Sequence, residues 1–244
     1  MSGRAVPKCD LLGARLRFRV DVKASASELP WSEVFGPARG MVYATIAASD
    51  AELATSLHDE GWDGHPLKPV GVSCPQFVGA PRVHGKYTTG THGSVWMGSP
   101  FPRIASTLLA GLAGRTSLTW GSVQLAIRGV ELESSPDFDA GEATFATATP
   151  VLIKKDDQFL APDDDRFLAG LVHNLRHKAD MLELPSDVEV DVIDGGPMRR
   201  FDVCGAPRRG ATLRARVAAD PRLLTALYEW GLGLANNQGF GWIR

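Results

Sequence analysis

Several features that mark common protein classes are scarce in this 244-residue chain. Its three cysteines, Cys9, Cys74 and Cys204, are scattered without a CxxC pair, which argues against a disulfide framework or a cysteine zinc site and fits a reducing cytosol. No apolar run approaches the roughly 20 residues that a membrane span needs, and the N-terminus lacks the apolar segment of a signal peptide. We therefore expect a cytoplasmic protein with no membrane partner.

The chain also lacks an excess of charge of one sign and the short motifs of well-known enzymes. It carries 26 Lys and Arg against 28 Asp and Glu, and this net charge of −2 speaks mildly against nucleic-acid binding. No G-x-S-x-G, H-E-x-x-H or Walker motif occurs. With 44% hydrophobic and 22% charged residues, the composition is that of a soluble globular protein.

Arginine is nevertheless concentrated in one segment, "RRFDVCGAPRRGATLRAR", which we call the basic segment (residues 199–216). Asp202 is its only acid, and its six arginines are Arg199, Arg200, Arg208, Arg209, Arg214 and Arg216. A local basic segment on a nearly neutral protein suits a confined phosphate track. The alternative is a solvated hairpin whose arginines pair with the acids of "KKDDQFLAPDDDR" and "SDVEVDVID".

Glycines are densest in "GLGLANNQGFG", the glycine loop (residues 231–241). A nucleotide-binding glycine loop must open a helix, but this loop follows one: Asp220 suits the N-cap, Pro221 the first helical position and Gly231 the position after the helix. The order excludes a nucleotide-cofactor site, and we expect no cofactor. The loop should lead into a short strand over 240–243, and either RNA or the neighbouring sheet could lie close to its backbone. A purely structural turn is the alternative.

Hydrophobic periodicity predicts the same order of elements twice. The first half has a strand over 14–24, a helix from Trp31 or Ser32, a helix with a Ser49–Glu52 capping box that stops at Gly61, further strands, a helix over 101–114 and a strand over 118–133. The second half has a strand over 143–155, a long helix, more strands, the helix after Asp220 and the terminal strand. The long helix carries an apolar stripe: Leu168, Leu171, Leu175 and Leu182. We predict an α+β fold of two tandem ferredoxin-like (RRM-like) βαββαβ units, with antiparallel sheets each backed by helices, at residues 1–136 and 137–244.

The chain resembles the CRISPR repeat-RNA endoribonuclease family of the repeat-associated mysterious protein (RAMP) superfamily. The resemblance rests on the glycine loop, on a second helix ending in Leu-His-Asp-x-Gly, and on "ATFATATPVLI" and "LVHNLRHKADMLE" in the expected order. It implies a metal-independent endoribonuclease that binds CRISPR repeat precursor RNA, as a hairpin or a single strand. Cleavage by 2′-OH attack would leave 2′,3′-cyclic phosphate and 5′-OH ends, and the product would pass to subunits of an interference complex. A homodimer is left open.

The resemblance also implies the catalytic residues Tyr43, His58 and Lys68. His58 would act as the acid, because the end of its helix favours the imidazolium form; the alternative is a histidine that only caps carbonyls. Tyr43 would act as base or position the 2′-OH, unless it is a core aromatic. Lys68 would stabilise the phosphorane, although the interval from His58 is stretched by "WDGHP", so His65 could substitute and Lys68 could be a surface lysine.

RNA contacts are expected from the glycine loop and from the basic segment. The loop lacks the Lys or Arg that the family commonly carries between its glycine pairs, so contacts there would use backbone N–H groups and amide side chains. The expected residues are Gly231, Gly233, Asn236, Asn237, Gln238, Gly239, Gly241, Arg199, Arg200, Arg208, Arg209, Arg214 and Arg216. This altered loop keeps a rival open, namely a non-catalytic RNA-binding scaffold subunit of the same superfamily.

Two histidines spaced i, i+4 on the long predicted helix, His173 and His177, have a geometry that can bind zinc. No third ligand is evident nearby, and Arg176 and Lys178 flank them. We expect a solvated basic face, which could touch phosphates, and no metal.

Overall fold

A computed structural model describes residues 17–81 and 83–244. Cys9 and the start of the predicted strand over 14–24 lie outside these residues. Cys74 is buried, Cys204 is exposed, and both are free thiols. Among the helices of the described residues, none has the length and apolar character needed to cross a membrane.

The first half of the chain is a sheet backed by helices. Its helices are α1 (Ala38–Ala47), α2 (Ala51–Asp59) and α3 (Pro102–Leu112). Its strands are β1 (Arg17–Ala24), β2 (Glu28–Leu29), β3 (Gly71–Val72), β4 (Gln76–Phe77), β5 (Tyr87–Thr88), β6 (Gly93–Gly98), β7 (Ser117–Trp120) and β8 (Val123–Leu132). The sheet runs β3-β6-β1-β8-β7, and its pairs are antiparallel.

The second half repeats this arrangement. Its helices are α4 (Phe167–Met181) and α5 (Pro221–Trp230). Its strands are β9 (Glu142–Ala146), β10 (Lys154–Lys155), β11 (Gln158–Phe159), β12 (Glu189–Gly195), β13 (Arg199–Val203), β14 (Ala206–Gly210) and β15 (Leu213–Ala218). The sheet order β12-β15-β9 matches the order β3-β6-β1 of the first half: β12 corresponds to β3, β15 to β6 and β9 to β1. The predicted tandem ferredoxin-like α+β fold is confirmed, while the boundary between residues 136 and 137 stays a prediction.

The last strand of the second half is much shorter than predicted. Residues 240–243 form only one bridge, between Ile243 and Thr147, beside β9. The predicted strand over 143–155 likewise breaks after Ala146. In the second of these segments Pro150 has no N–H to donate to a ladder, and its carbonyl accepts the Gly241 N–H of the glycine loop at 2.8 Å.

Two helix starts differ from the predictions. The helix expected at Trp31 or Ser32 begins at Ala38, because Pro37 occupies its N-cap; the preceding Trp31–Glu33 is a separate 3₁₀ turn. The cap of α2 is Asp50 and not Ser49, since the Asp50 side chain accepts the Leu53 N–H at 2.9 Å.

Two further expectations need correction. The strand predicted over 118–133 is a hairpin, because Gly121 adopts φ +60° in the two-residue turn between β7 and β8. In α4, Leu171 and Leu175 are fully buried as predicted, but Leu168 is 43% exposed, and the apolar stripe begins with the buried Phe167 instead.

The two halves pack against each other through residues close to the glycine loop. Phe240 belongs to the hydrophobic core of the first half and stacks on Phe35 with ring centroids 4.4 Å apart. Trp230, at the end of α5, donates from Nε1 to the carbonyl of Lys68 at 3.0 Å. Arg17 of β1 donates to the carbonyl of Tyr228 at 2.9 Å. These contacts place the glycine loop beside α1, α2 and the segment after α2.

Candidate active site

His58 lies in the last turn of α2, where its side chain is 54% exposed. The opposite face of the helix buries Leu53 and Leu57 in the first core, so the imidazole is held at the surface. Its Nδ1 lies 2.8 Å from Asp59 Oδ1. This contact orients the ring and leaves Nε2 available to a ligand.

Tyr43 reaches the same place from α1. Its ring meets the His58 ring edge-on, with centroids 5.2 Å apart. Its hydroxyl donates weakly to the carbonyl of Leu57 at 3.4 Å and accepts from Asn237 Nδ2 at 3.5 Å. Burial raises the pKa of Tyr43, and the contacts with Asn237 and Arg39 offset this only in part. The hydroxyl is therefore protonated at neutral pH and suits a hydrogen-bonding role better than that of a base.

Lys68 comes from the segment between α2 and β3. Its Nζ donates to the carbonyl of His58 at 2.9 Å, which ties the lysine to the end of α2. Partial burial lowers the pKa of Lys68, and the nearby Asp59 acts in the opposite direction. His65 is exposed and lies on the turn closed by its backbone bridge to Trp62, outside the cleft that the other predicted residues line. The structure thus brings Lys68, and not His65, to His58.

The glycine loop packs closely against the protein itself. All four of its glycines have positive φ, from +68° at Gly233 and Gly241 to +103° at Gly231. A Cβ on Gly233 would lie 2.6 Å from Val151 Cγ1, and one on Gly231 would lie 2.7 Å from the carbonyl oxygen of Gly241. The structural explanation of these glycines is therefore close packing within the fold.

A buried lysine holds this loop in place, contrary to the solvated face expected around residue 178. Lys178 of α4 is 1% exposed and donates to the carbonyl of Gly231 at 2.6 Å and to Asn236 Oδ1 at 2.7 Å. Its Nζ also lies 4.3 Å from the centre of the Trp230 ring. Burial lowers the pKa of Lys178 well below its usual value. The sequence offers one signal for this burial, because Lys178 comes three residues after Leu175 and so lies on the buried side of the helix.

Asn236 and Asn237 differ in what they offer to a ligand. Asn236 is buried, and its amide nitrogen donates to the carbonyls of Leu232 and Phe240, each at 3.0 Å. Asn237 is also buried but points to Tyr43. Gln238 is half-buried, and its Oε1 has no hydrogen-bond partner within the described residues.

These elements together enclose a space of about 310 Å³, which we call the cleft. Its lining includes every predicted catalytic residue and part of the glycine loop, together with Lys178 and Arg39. The lining residues are Arg39, Tyr43, His58, Pro66, Leu67, Lys68, Lys178, Trp230, Gly233, Leu234, Ala235, Asn236, Asn237 and Gln238. A cation, an imidazole and a phenol beside the half-buried amide of Gln238 can bind a phosphodiester and move a proton next to it.

The arginines of the basic segment lie on two different sheets. Arg199, Arg200, Arg208 and Arg209 lie on the β13–β14 hairpin, which we call the arginine hairpin (residues 199–210). Within the described part of the chain, no carboxylate lies at ion-pair distance from any of these four. The hairpin packs on the first half through Phe201, whose ring centroid is 4.9 Å from that of Phe35.

The remaining two arginines lie on the solvent face of the second sheet. Arg216 pairs with Asp191 at 3.7 Å, and Arg214 stands opposite Asp194 across β15 and β12. The alternation of β15, with Leu213, Ala215 and Val217 buried, sends both arginines away from the core. Pairing with the acids of "SDVEVDVID", the alternative for the whole segment, is therefore seen for Arg216.

His173 and His177 lie on α4 with ring centroids 4.4 Å apart. Within the described residues, no group of three or more His, Cys, Asp or Glu side chains is placed to hold a metal ion. The two rings line a second, smaller cavity that adjoins the cleft.

Comparison with known proteins agrees with this architecture. Residues 133–244 match the family model of "CRISPR associated protein Cas6, C-terminal". The CRISPR-associated endoribonuclease Cas6 of Pyrococcus furiosus is 24% identical over 240 residues, which cover 94% of this chain and 88% of the relative.

Solved structures share the fold along almost the whole chain. A structure of a Cas6-related gene product from Pyrococcus furiosus matches with a TM-score of 0.79 at 16% identity, covering 94% of this chain and 97% of the other. A structure described as a RAMP protein binding different RNA substrates gives 0.78 at 15% identity, covering 94% and 98%. A third, described as CRISPR associated protein Cas6, gives 0.73 at 21% identity over the same shares.

The resemblance seen in the sequence is confirmed: residues 133–244 match the Cas6 C-terminal family model, and the chain is similar along most of its length to the Cas6 endoribonuclease of Pyrococcus furiosus and to solved structures with the same fold.

Proposed function

We propose that this protein is a metal-independent endoribonuclease that cuts CRISPR repeat precursor RNA in the cleft. The observation that carries the proposal is the meeting of Tyr43, His58 and Lys68, which come from three separate segments of the chain. The relationship to the Cas6 endoribonuclease of Pyrococcus furiosus supports RNA processing. A structure described as a Cas6 product complex has the same fold, with a TM-score of 0.62 at 17% identity over 95% of this chain and all of the other.

The chemistry would be transfer of phosphorus from the 5′-oxygen to the 2′-oxygen. A bond forms from the 2′-oxygen to phosphorus and the bond to the 5′-oxygen breaks, so one proton passes from the 2′-hydroxyl to solvent water and another reaches the departing oxygen. We assign the second transfer to His58, because its imidazole lies in the cleft and Asp59 contacts Nδ1, which leaves Nε2 to donate the proton. Because burial raises its pKa, Tyr43 would orient the 2′-hydroxyl by hydrogen bonding.

Lys68 would stabilise the charge on the phosphorane. Its ammonium group lies next to His58 and is bonded only to a backbone carbonyl among the described residues. Exchanging that carbonyl for a non-bridging phosphate oxygen would place the cation where negative charge develops.

RNA would approach the cleft from the arginine hairpin. The hairpin packs on Phe35, just before α1, and α1 then carries Arg39 and Tyr43 towards His58. In the glycine loop, Gln238 and the backbone of residues 233–238 would meet RNA. Asn236 would contribute by holding the loop, because its amide is already bonded within it.

The test is cleavage of end-labelled repeat RNA in EDTA by the wild-type protein and by His58→Ala. We expect a single cut with a 2′,3′-cyclic phosphate end, and a rate lower by about 10²- to 10⁴-fold in His58→Ala with RNA binding retained. His65→Ala is the matched control, since this exposed histidine lies outside the cleft, and it should cut at the wild-type rate. RNA with 2′-deoxyribose at the cut should bind without being cleaved.

The same experiment separates catalysis from the scaffold alternative. Wild-type protein that binds repeat RNA and never cuts it would favour a non-catalytic RNA-binding subunit. Loss of cleavage in EDTA, restored by a divalent cation, would contradict metal independence while leaving the endoribonuclease assignment in place.

A further inference from the structure

A second cavity of about 160 Å³ adjoins the cleft on the α4 side. Leu67 and Leu234 line both spaces and therefore form the ridge between them. The other residues around the second cavity are Ile153, Lys154, Gly170, His173, Asn174 and His177. The proposed cleavage mechanism uses none of these six residues.

The second cavity is suited to an anion. Three of its side chains, Lys154, His173 and His177, can carry positive charge, and no carboxylate lines it within the described residues. Lys154 is paired with Asp157 at 2.7 Å, but the Asp157 side chain is 97% exposed. In a surface ion pair of this kind, another anion can readily replace the carboxylate as the partner of the lysine.

Asn174 supplies an independent sign of a ligand. It lies between the two histidines on α4 and is 7% exposed, yet its Oδ1 has no hydrogen-bond partner among the described residues. A buried amide oxygen without a partner is costly, so such groups are usually satisfied by protein, water or a ligand. An amide can pair with the edge of a nucleic-acid base, as single-stranded RNA recognition commonly requires.

Accepting the proposed function, on which this inference rests, we propose that the second cavity is a nucleotide subsite of the endoribonuclease. It would hold the nucleotide next to the scissile phosphate, with its phosphate on Lys154, His173 and His177 and its base edge on Asn174. The RNA backbone would cross the Leu67–Leu234 ridge, whose aliphatic side chains offer a surface for the sugar or base. The subsite makes the enzyme sensitive to base identity beside the cut.

The test uses repeat RNA made non-cleavable by a 2′-deoxy nucleotide at the cut. Photocrosslinking with 4-thiouridine at each position flanking the cut, followed by peptide mapping, should mark α4 from one such position. In parallel, RNAs with each base at that position are measured by fluorescence anisotropy against wild-type protein, His173→Gln/His177→Gln and Asn174→Leu. Arg176→Gln is the matched control, because this residue is exposed on the same helix and does not line the cavity.

We expect the double histidine variant to bind about tenfold more weakly, and Asn174→Leu to bind all four RNAs with similar affinity. Arg176→Gln should behave as wild type. The subsite would be overturned by crosslinks that do not map to α4, or by both variants binding RNA with the affinity and base preference of the wild type. Normal cleavage of repeat RNA in that case would leave the proposed function in place. Wild-type protein that neither binds nor cuts repeat RNA would remove both. The crosslinks use wild-type protein, so they decide even if Asn174→Leu fails to fold.

Discussion

The two halves share one order of strands and helices but differ in the segment after their last helix. After α3, the chain turns at Gly114, where an added Cβ would have no neighbour within 4 Å. It then enters the β7–β8 hairpin with its ten-residue strand β8. After α5, it turns at Gly231 into the closely packed glycine loop, and only one bridge remains of the last strand. The first half thus keeps a complete sheet and carries the three predicted catalytic side chains. In the second half, the glycine loop takes the place of a paired last strand and lines the cleft that contains these side chains.

The comparison is tested most strongly by the two glycines that end α3 and α5. Gly114 and Gly231 both have positive φ, but only at Gly231 would a Cβ meet backbone, the carbonyl oxygen of Gly241 at 2.7 Å. We expect Gly231→Ala to lower the free energy of unfolding by about 4 kcal/mol, because overpacking adds to backbone strain. Gly114→Ala should cost about 1 kcal/mol, from backbone strain alone. Chemical denaturation measures both.

Thermal melting offers a second readout of the same pair. At about 2–4 °C per kcal/mol for a chain of this size, Gly231→Ala should melt roughly 10 °C below wild type. Equal losses in the two variants would show that the glycine loop tolerates displacement and would contradict the packing argument.

The second contrast concerns the two lysines of the cleft, one from each half. Lys178→Met should lower the free energy of unfolding by about 3 kcal/mol at pH 10, because the carbonyl of Gly231 and Asn236 Oδ1 lose their donor. Lys68→Met should leave stability nearly unchanged and slow cleavage, because Lys68 lies at the surface of the cleft.

The stability difference for Lys178 should depend on pH. Burial lowers its folded-state pKa below the unfolded value of 10.5, so between these two values the unfolded chain binds more protons. The contribution of Lys178 to stability is therefore complete above pH 10.5 and declines as pH falls towards the folded-state pKa. The gap between wild type and Lys178→Met should widen from pH 7 to pH 10; a constant gap would contradict burial of an ionisable amine.

The smallest expected effect separates the two groups of arginines. Replacing Arg200 and Arg209 of the arginine hairpin by Gln should weaken repeat-RNA binding about tenfold and reduce the salt slope by roughly 1.4, at about 0.7 per phosphate contact on a single strand. Arg214→Gln/Arg216→Gln is the control on the second sheet, where Asp191 already neutralises Arg216. Equal effects of the two double variants would support the alternative that all six arginines of the basic segment contact one continuous stretch of RNA.

Local signals were sufficient for much of this fold. The ends of α5 were predicted correctly, since Asp220 and Pro221 start the helix and Gly231 ends it by rules that act over a few residues. The hairpin within 118–133 was missed although Gly121-Ser122 is a recognisable two-residue turn, because the flanking residues resemble one continuous strand. The sequence could not distinguish Ser49 from Asp50 as the cap of α2, because both precede the helix and only the backbone geometry decides which side chain reaches the Leu53 N–H.

The candidate site was predictable in part. Tyr43, His58 and Lys68 were named from a family resemblance, and the structure brings them together. The sequence could not distinguish glycines that approach RNA from glycines that approach Val151 or Gly241, because either role requires positive φ and a small residue. The pairing of Arg216 with Asp191 depends on the register of β12 against β15, which no local pattern specifies.

The stacking of Phe240 on Phe35 has a consequence for biosynthesis. Phe240 is part of the first hydrophobic core, although the rest of that core comes chiefly from residues before 126. Domains emerge from the ribosome in order and tend to fold as units. Here the first unit cannot close its core when its own residues have emerged, because one of its aromatic side chains is translated more than a hundred residues later.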